Sequence, residues 1–366
     1  MKCSACLIVA LAWSIGLCGQ SSPEGQYTLD FNIYAGSILK HNPDISHLIT
    51  AHPAGFTLSL NKKTFGNEAW QQGYNYPDTG ISLVYQDMNN ETLGHHIGLY
   101  AHFNFYLLRR QVQLRIAQGI AYNTNPYDRV TNFRGNAYGS HLLSTTHLML
   151  NYQKEKILDR IGVKGGITLV HYSNANVKAP NTSTNTFAFN LGLIYALSSE
   201  PEPERIRIDS LPKIRENIKV NLAFRSGINE SDIVNSGQFP FYIFSAYADK
   251  RLGRKSAIQL GGEVFFSNFL KELIQFQSIA FPENNVRADA DFKRVGLFVG
   301  HELFINKLSV LTQFGYYVYY PFDFEGKTYN RIGLKRYFNS SWYAALTLKS
   351  HAAKAEAVEL GIGIRL

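Results

Sequence analysis

Val358-Glu359-Leu360-Gly361-Ile362-Gly363-Ile364-Arg365-Leu366 alternates without a break. Val358, Leu360, Ile362, Ile364 and Leu366 fall on one parity; Glu359, Gly361, Gly363 and Arg365 fall on the other. Successive side chains of a β-strand point to opposite faces, so this stretch carries one apolar face and one small or polar face. A helix would need its apolar residues three or four positions apart. The same period of two recurs upstream. Ile258, Leu260, Gly262, Val264 and Phe266 alternate with Gln259, Gly261, Glu263 and Phe265. Val112, Leu114, Ile116, Ile120 and Tyr122 alternate with Gln113, Arg115, Ala117, Gly119 and Ala121.

This pattern predicts an all-β fold, an antiparallel transmembrane β-barrel of about sixteen strands, with about twelve as the lower bound. Predicted strands include 26–36, 159–173, 185–197, 217–228 and 356–366. Several exceed the usual strand of a soluble sheet and match the ~9–11 residues needed to cross a bilayer. Connection lengths supply a second test, because such barrels have short inner turns and longer outer loops. With the first strand running outward, the turns at Arg109-Arg110, 154–158, 252–255, Asn306-Lys307 and 337–340 all fall inside. The longer segments 37–53, 124–139, 174–184, 229–239 and 268–292 fall outside. Two inner connections break the rule, 64–78 and 198–216. The second contains Ser198-Ser199-Glu200-Pro201-Glu202-Pro203-Glu204, a Pro/Glu-rich linker. The strand pattern resumes unchanged beyond it, so residues 20–366 read as a single barrel domain that 217–366 complete.

Residues 1–19 read as a secretory signal peptide, with Lys2 at its start, Leu7 to Leu17 as its apolar core, and Gln20 as the first mature residue. The rival lipoprotein reading, with Cys18 acylated, conflicts with Leu17, since a small residue is wanted before the lipidated cysteine. The three cysteines, Cys3, Cys6 and Cys18, all lie in or at the end of this segment. Disulfides and cysteine-ligated metals are therefore excluded from the mature chain. The formal charge of +8 invites a nucleic-acid reading. The basic residues, however, are spread over turns and strand ends (Arg109, Arg110, Lys154, Lys156, Arg254, Lys255, Lys307) and not along a helix. Anionic lipid headgroups account for that placement, and no nucleic-acid partner is expected. Aromatics gather near strand ends, at Phe103, Phe105 and Tyr106, at Phe239, Phe241 and Tyr242, and over Tyr316 to Phe322; they suit interfacial girdles.

One stretch carries chemistry. In His171-Tyr172-Ser173-Asn174, His171 and Ser173 share a strand face with Ile161, Val163, Ile167 and Leu169. Asn185 follows twelve residues after Ser173, on the same parity as Phe187, Phe189, Leu191 and Leu193. All three then converge on the lipid-facing wall near its outer edge. Such a set can perform acyl transfer: Ser173 as nucleophile, His171 as general base, and the Asn185 amide oxygen fixing the imidazole. Asn174, through its backbone N–H or its amide, is a candidate oxyanion donor. His95-His96 with His102 lie along one strand without a carboxylate cluster, and His301-Glu302 sits in a predicted strand; neither reads as a metal site. Asp87, Glu263, Glu302 and Glu359 read as lumen or rim charges.

His171-Tyr172-Ser173-Asn174-Ala175 followed by Pro180-Asn181 resembles the signature of the outer-membrane lipid A 3-O-deacylases, the acyloxyacyl hydrolases. Trp70, Tyr76-Pro77, Asn125-Pro126-Tyr127-Asp128 and Gly139-Ser140-His141 resemble the longer Bacteroidota members. The resemblance covers about residues 26–197. It implies a bacterial outer-membrane serine esterase that removes an ester-linked acyl chain from lipid A, with its His and Ser facing the membrane. That family has a glutamate where this chain has Asn185. The spacing to an asparagine is similar to that of the outer-membrane phospholipase A family, which uses calcium and dimerises. Loop 174–184 offers no carboxylate to calcium, so no cofactor is expected unless that second resemblance holds. The expected substrate is a membrane lipid, lipopolysaccharide or phospholipid, and the expected cellular partner is the barrel-assembly machinery. The alternatives are a phospholipase A and a non-catalytic barrel for transport or surface structure.

Overall fold

The computed structural model describes residues 26–207, 214–352 and 354–366. The predicted signal peptide lies outside the described residues. Strands β1 (Tyr27–Ile38), β2 (Ala54–Lys62), β3 (Asp78–Asp87), β4 (His95–Leu107), β5 (Val112–Asn123), β6 (Leu142–Leu158), β7 (Ile161–Ser173) and β8 (Thr184–Ala196) pair in chain order. Every pair is antiparallel, and β8 returns to β1 with Asp30 opposite Ile194. The second set is β9 (Lys219–Asn229), β10 (Phe239–Arg251), β11 (Ser256–Ser267), β12 (Lys293–Ile305), β13 (Leu308–Tyr319), β14 (Thr328–Tyr337), β15 (Trp342–His351) and β16 (Lys354–Arg365). It closes by pairing β16 with β9, Leu360 opposite Ser226.

Sixteen antiparallel strands agree with the sequence reading; their closure does not. The chain forms two closed eight-stranded barrels, where a single wider cylinder was expected. Side-chain size and charge explain the difference. An eight-stranded barrel has a lumen just wide enough for side chains to fill, so inward charges must neutralise one another across it. In the first barrel Asp30 accepts Arg115 at 2.7 Å and Lys164 at 2.8 Å, all three buried. In the second, Arg331 bridges Glu263 at 2.8 Å and Glu359 at 2.6 Å, with Arg225 beside both. Lys335 meets Glu302, and Glu356 gathers Arg294, Lys349 and His351. A sixteen-stranded wall would hold these partners apart. Pro201 and Pro203 in the connection lack the N–H that would extend β8 toward β9.

Outward positions are apolar and exposed on both barrels, among them Ile33, Leu99, Phe189, Leu191, Leu260 and Leu297. So large an exposed apolar surface suits lipid and not water. The girdle reading holds for Tyr242, Tyr316 and Tyr319, which face outward; Tyr106, Phe241 and Tyr317 instead point inward and are buried, and Phe322 is buried in the loop after β13. Alternation sends every second aromatic of a cluster into the lumen. Because both lumens are filled by side chains, reconstitution into planar bilayers is expected to give no open-pore conductance. Stable channel steps would refute the packed interior.

The two inner connections that seemed too long now have a purpose. The segment between β2 and β3 carries the short helix α1 (Ala69–Gly73) and reaches across to the second barrel. Tyr74 Oη donates to the Phe304 carbonyl at 2.7 Å, and Asn306 Nδ2 donates to Glu68 at 2.7 Å. The linker runs along the same segment: Ile206 N–H bonds the Phe65 carbonyl at 2.8 Å, and Tyr76 Oη donates to the Ile206 carbonyl at 3.0 Å. Burial works against the Lys63 ammonium, yet contacts with Glu155 and with the linker's Glu202 raise its pKa above the ordinary lysine value. On the opposite, long-loop rim, an amphipathic helix α2 (Phe269–Ala280) packs Phe269, Leu270, Leu273 and Ile274 against Phe322 and Phe324.

Candidate active site

Strands β7 and β8 form a hairpin whose register sets His171 directly opposite Asn185. Odd-numbered positions of β7 face outward, while Lys164, Thr168, Val170 and Tyr172 are buried in the lumen. On β8, Asn185, Phe187, Phe189, Leu191 and Leu193 share the outward parity, against inward Thr186, Ala188 and Asn190. His171, Ser173 and Asn185 thus occupy the lipid-facing wall at the long-loop rim, as their parities require.

His171 Nδ1 and Asn185 Oδ1 are 2.8 Å apart. An amide oxygen can only accept, so Nδ1 carries the proton and Nε2 is left as the free lone pair. Ser173 is buried under the loop that follows it, only 6% exposed. Its hydroxyl donates to Asn181 Oδ1 at 3.0 Å and accepts the Ala175 N–H at 2.9 Å. No hydrogen bond joins Ser173 to His171 among the described residues. The Asn174 N–H donates to the same Asn181 oxygen at 2.9 Å. The Asn174 side chain is occupied within the loop, accepting Asn176 N–H at 3.1 Å and donating to the Lys178 carbonyl. Of the two donors that Asn174 carries, its backbone N–H is the one that shares the Asn181 oxygen with Ser173.

The loop is conformationally demanding. Ala175 and Asn176, the second and third residues after Ser173, have φ of 53° and 61°. That left-handed region is unfavourable for a residue with a Cβ, so neighbours must impose it. Three segments do so. Asn136 and Ala137, between β5 and β6, accept N–H groups of Thr182 and Ser183. Nearby Gly139 comes so close that a Cβ there would lie 2.4 Å from the Ala179 carbonyl oxygen, which gives Gly139-Ser140-His141 a packing reason. His41, between β1 and β2, reaches the Thr182 carbonyl at 3.1 Å. The third segment comes from the second barrel. Glu230 Oε2 accepts the Ala179 N–H at 2.9 Å, Glu230 N–H donates to the Asn176 carbonyl at 3.0 Å, and Gln238 Nε2 donates to the Val177 carbonyl at 2.7 Å.

Sequence reasoning missed two of these participants. Asn181 was legible only as part of a motif, and Glu230 had no signal, since its partner lies fifty-one positions upstream. The wall also carries an unforeseen polar patch. Thr146, paired with His171 across β6 and β7, donates to Gln118 Oε1 at 2.7 Å, and Gln118 Nε2 donates to Ser144 at 3.2 Å. Elsewhere, of the histidines set aside as metal ligands, His102 is buried between Ser82 and Asn61 and His96 is buried against Tyr172, while His95 and His301 are exposed on the outer face. Glu263, Glu302 and Glu359 are lumen charges and Asp87 pairs with His95 at the rim, as read.

The family model described as lipid A 3-O-deacylase matches residues 54–193, and that described as acyloxyacyl hydrolase, C-terminal domain, matches residues 217–366. Among solved structures the chain is similar to a mutant of the Rh. blastica porin, at 9% identity over 93% of this chain and 99% of that one, with a TM-score of 0.18. It is also similar to the outer membrane protein Omp33 of Acinetobacter baumannii, at 9% identity over 93% and 98%, with a TM-score of 0.19. These overlaps are too loose to carry an argument. No curated protein matches the chain.

Proposed function

Because the chain belongs to the lipid A 3-O-deacylase and acyloxyacyl hydrolase family, an outer-membrane family of hydrolases acting on lipid A esters, we propose that it does so as a serine esterase through Ser173, His171 and Asn185. The observation that supports this most is the 2.8 Å contact between His171 Nδ1 and Asn185 Oδ1 on the lipid-facing wall. A histidine so oriented presents Nε2 as a base toward the membrane, where an acyl ester lies.

In the proposed reaction an ester carbonyl enters from the wall and displaces Asn181 Oδ1. That oxygen now accepts both from Ser173 and from the Asn174 N–H, as the substrate's carbonyl oxygen would accept from Asn174. Its departure frees the hydroxyl to turn to His171 and frees the N–H to hold the oxyanion. Ser173 Oγ attacks the carbonyl carbon, and His171 takes the hydroxyl proton and passes it to the leaving alcohol. Water, activated by the same imidazole, then releases the fatty acid and restores Ser173.

The neutral orienter gives a sharp test. Asn185→Ala should lower kcat by more than about tenfold, since the imidazole loses its tautomer control. Asn185→Glu should keep or raise the rate, because a carboxylate also stabilises the imidazolium. An unchanged rate in the alanine variant means another group holds His171. Substrate identity is tested by mass spectra of lipid A from cells with and without the gene: the proposed activity removes one ester-linked acyl chain, and identical spectra refute it.

A further inference from the structure

The second barrel contributes no member of the proposed triad, yet it holds the loop on which the nucleophile ends. We propose that Glu230 is a positioning residue for Ser173, acting through the backbone of residues 174–179; this rests on the serine-esterase reading above.

Glu230 is 2% exposed, although it lies in the loop between β9 and β10. Among the described residues no lysine or arginine pairs with its carboxylate. Its oxygens instead accept two backbone N–H groups, Ala179 at 2.9 Å and Gly237 at 3.2 Å. A carboxylate removed from water and spent on backbone donors is a strong, directional restraint. One oxygen grips the loop of the first barrel, and the other grips the loop of the second.

The main chain of Glu230 completes the clasp. Its N–H donates to the Asn176 carbonyl, and its carbonyl accepts Asn176 Nδ2 at 3.4 Å. Asn176 is one of the two left-handed residues that follow the nucleophile. The other, Ala175, donates its N–H to the Ser173 hydroxyl. Fixing Asn176 and Ala179 therefore fixes the turn that aims Oγ, three residues from the nearest contact. The clasp is itself anchored in the second barrel: Asp232 pairs with Lys354 of β16, and Asn229 Nδ2 donates to the Glu356 carbonyl at 3.2 Å. A flexible tail would transmit nothing, whereas a closed barrel holds its loop still. The inner-rim bonds of Tyr74 and Asn306 tie the barrels together without touching this loop, which separates docking from positioning.

The test uses full-length protein in detergent and a fluorophosphonate probe that reacts with activated serine. Glu230→Ala is expected to slow labelling of Ser173, and to lower kcat at unchanged KM, by at least ~tenfold, the scale of a small misplacement of a reacting atom. Glu230→Gln, which keeps one carbonyl oxygen, should recover part of the rate. Tyr74→Phe, which removes an inner-rim bond of similar kind, should label like the wild type. Hydrogen exchange should show residues 174–179 opening in Glu230→Ala and not in Tyr74→Phe. Folding is followed by the gel shift of heated against unheated samples; if Glu230→Ala does not fold, Glu230→Gln and Gln238→Ala carry the same comparison. Wild-type labelling rates in the folded Glu230 variants overturn the proposal, as does equal slowing by Tyr74→Phe. A wild-type protein that labels nowhere overturns the nucleophile assignment first, and this role with it.

Discussion

Ser173→Ala is expected to reduce ester hydrolysis to background, a fall on the order of 10⁴–10⁶-fold in kcat. The size follows from the chemistry: without the hydroxyl there is no acyl-enzyme, and only binding and oxyanion contacts remain. The polar patch on the wall makes the result informative. Ser144 stands opposite Ser173 on β6 and also faces outward, and Thr146 stands opposite His171. Either hydroxyl could be imagined as a rival nucleophile. Both are tied to Gln118, away from the loop donors that surround Ser173. Ser144→Ala and Thr146→Val should therefore keep at least about half the rate, well within the ordinary effect of a neighbouring substitution. Retained activity in Ser173→Ala, with loss in Ser144→Ala, would move the nucleophile one strand over. The measurement is release of fatty acid from detergent-solubilised lipid A, with folding checked by the same gel shift.

Arg331→Met should destabilise the second barrel by about 3–5 kcal/mol, the cost of leaving buried charge uncompensated. Arg331 is 1% exposed and is the closest cation to both Glu263 and Glu359. Arg225 approaches the same carboxylates only at 3.4 and 3.9 Å. Removing Arg331 leaves two carboxylates and one guanidinium in a lumen too narrow to hydrate them. Adding Glu359→Gln should restore more than half of the loss, because the remaining pair is again neutral. Urea unfolding in lipid vesicles reads this out. Beyond the predicted signal segment the chain has two tryptophans, Trp70 and Trp342, one associated with each barrel, so a Trp70→Phe background leaves Trp342 as the reporter of the second. A shift worth less than ~1 kcal/mol would mean that water reaches the cluster and screens it.

The outward faces of the three proposed site residues were legible because strand parity is a local property. His171, Ser173 and Asn185 share the parity of Ile167, Leu169, Phe187 and Phe189, and a strand cannot turn one of its side chains around alone. The same logic misled where the neighbour mattered. Tyr106 and Phe105 look alike in sequence, yet one fills a lumen and the other meets lipid. Asn181 came into view as part of a motif, but its hold on Ser173 depends on how loop 174–183 folds back.

Sequence by itself determined the strands, their antiparallel order, the lipid-facing side and the presence on that side of a serine and a histidine two residues apart. These follow from a period of two and from loop lengths, both written along the chain. Only the tertiary structure decided that the wall closes twice, that the two overlong inner connections bridge the barrels, and that Glu230 bonds the loop after Ser173. Closure depends on whether inward charges meet across a lumen, as Arg331 meets Glu263 sixty-eight residues away, and no local pattern encodes that distance.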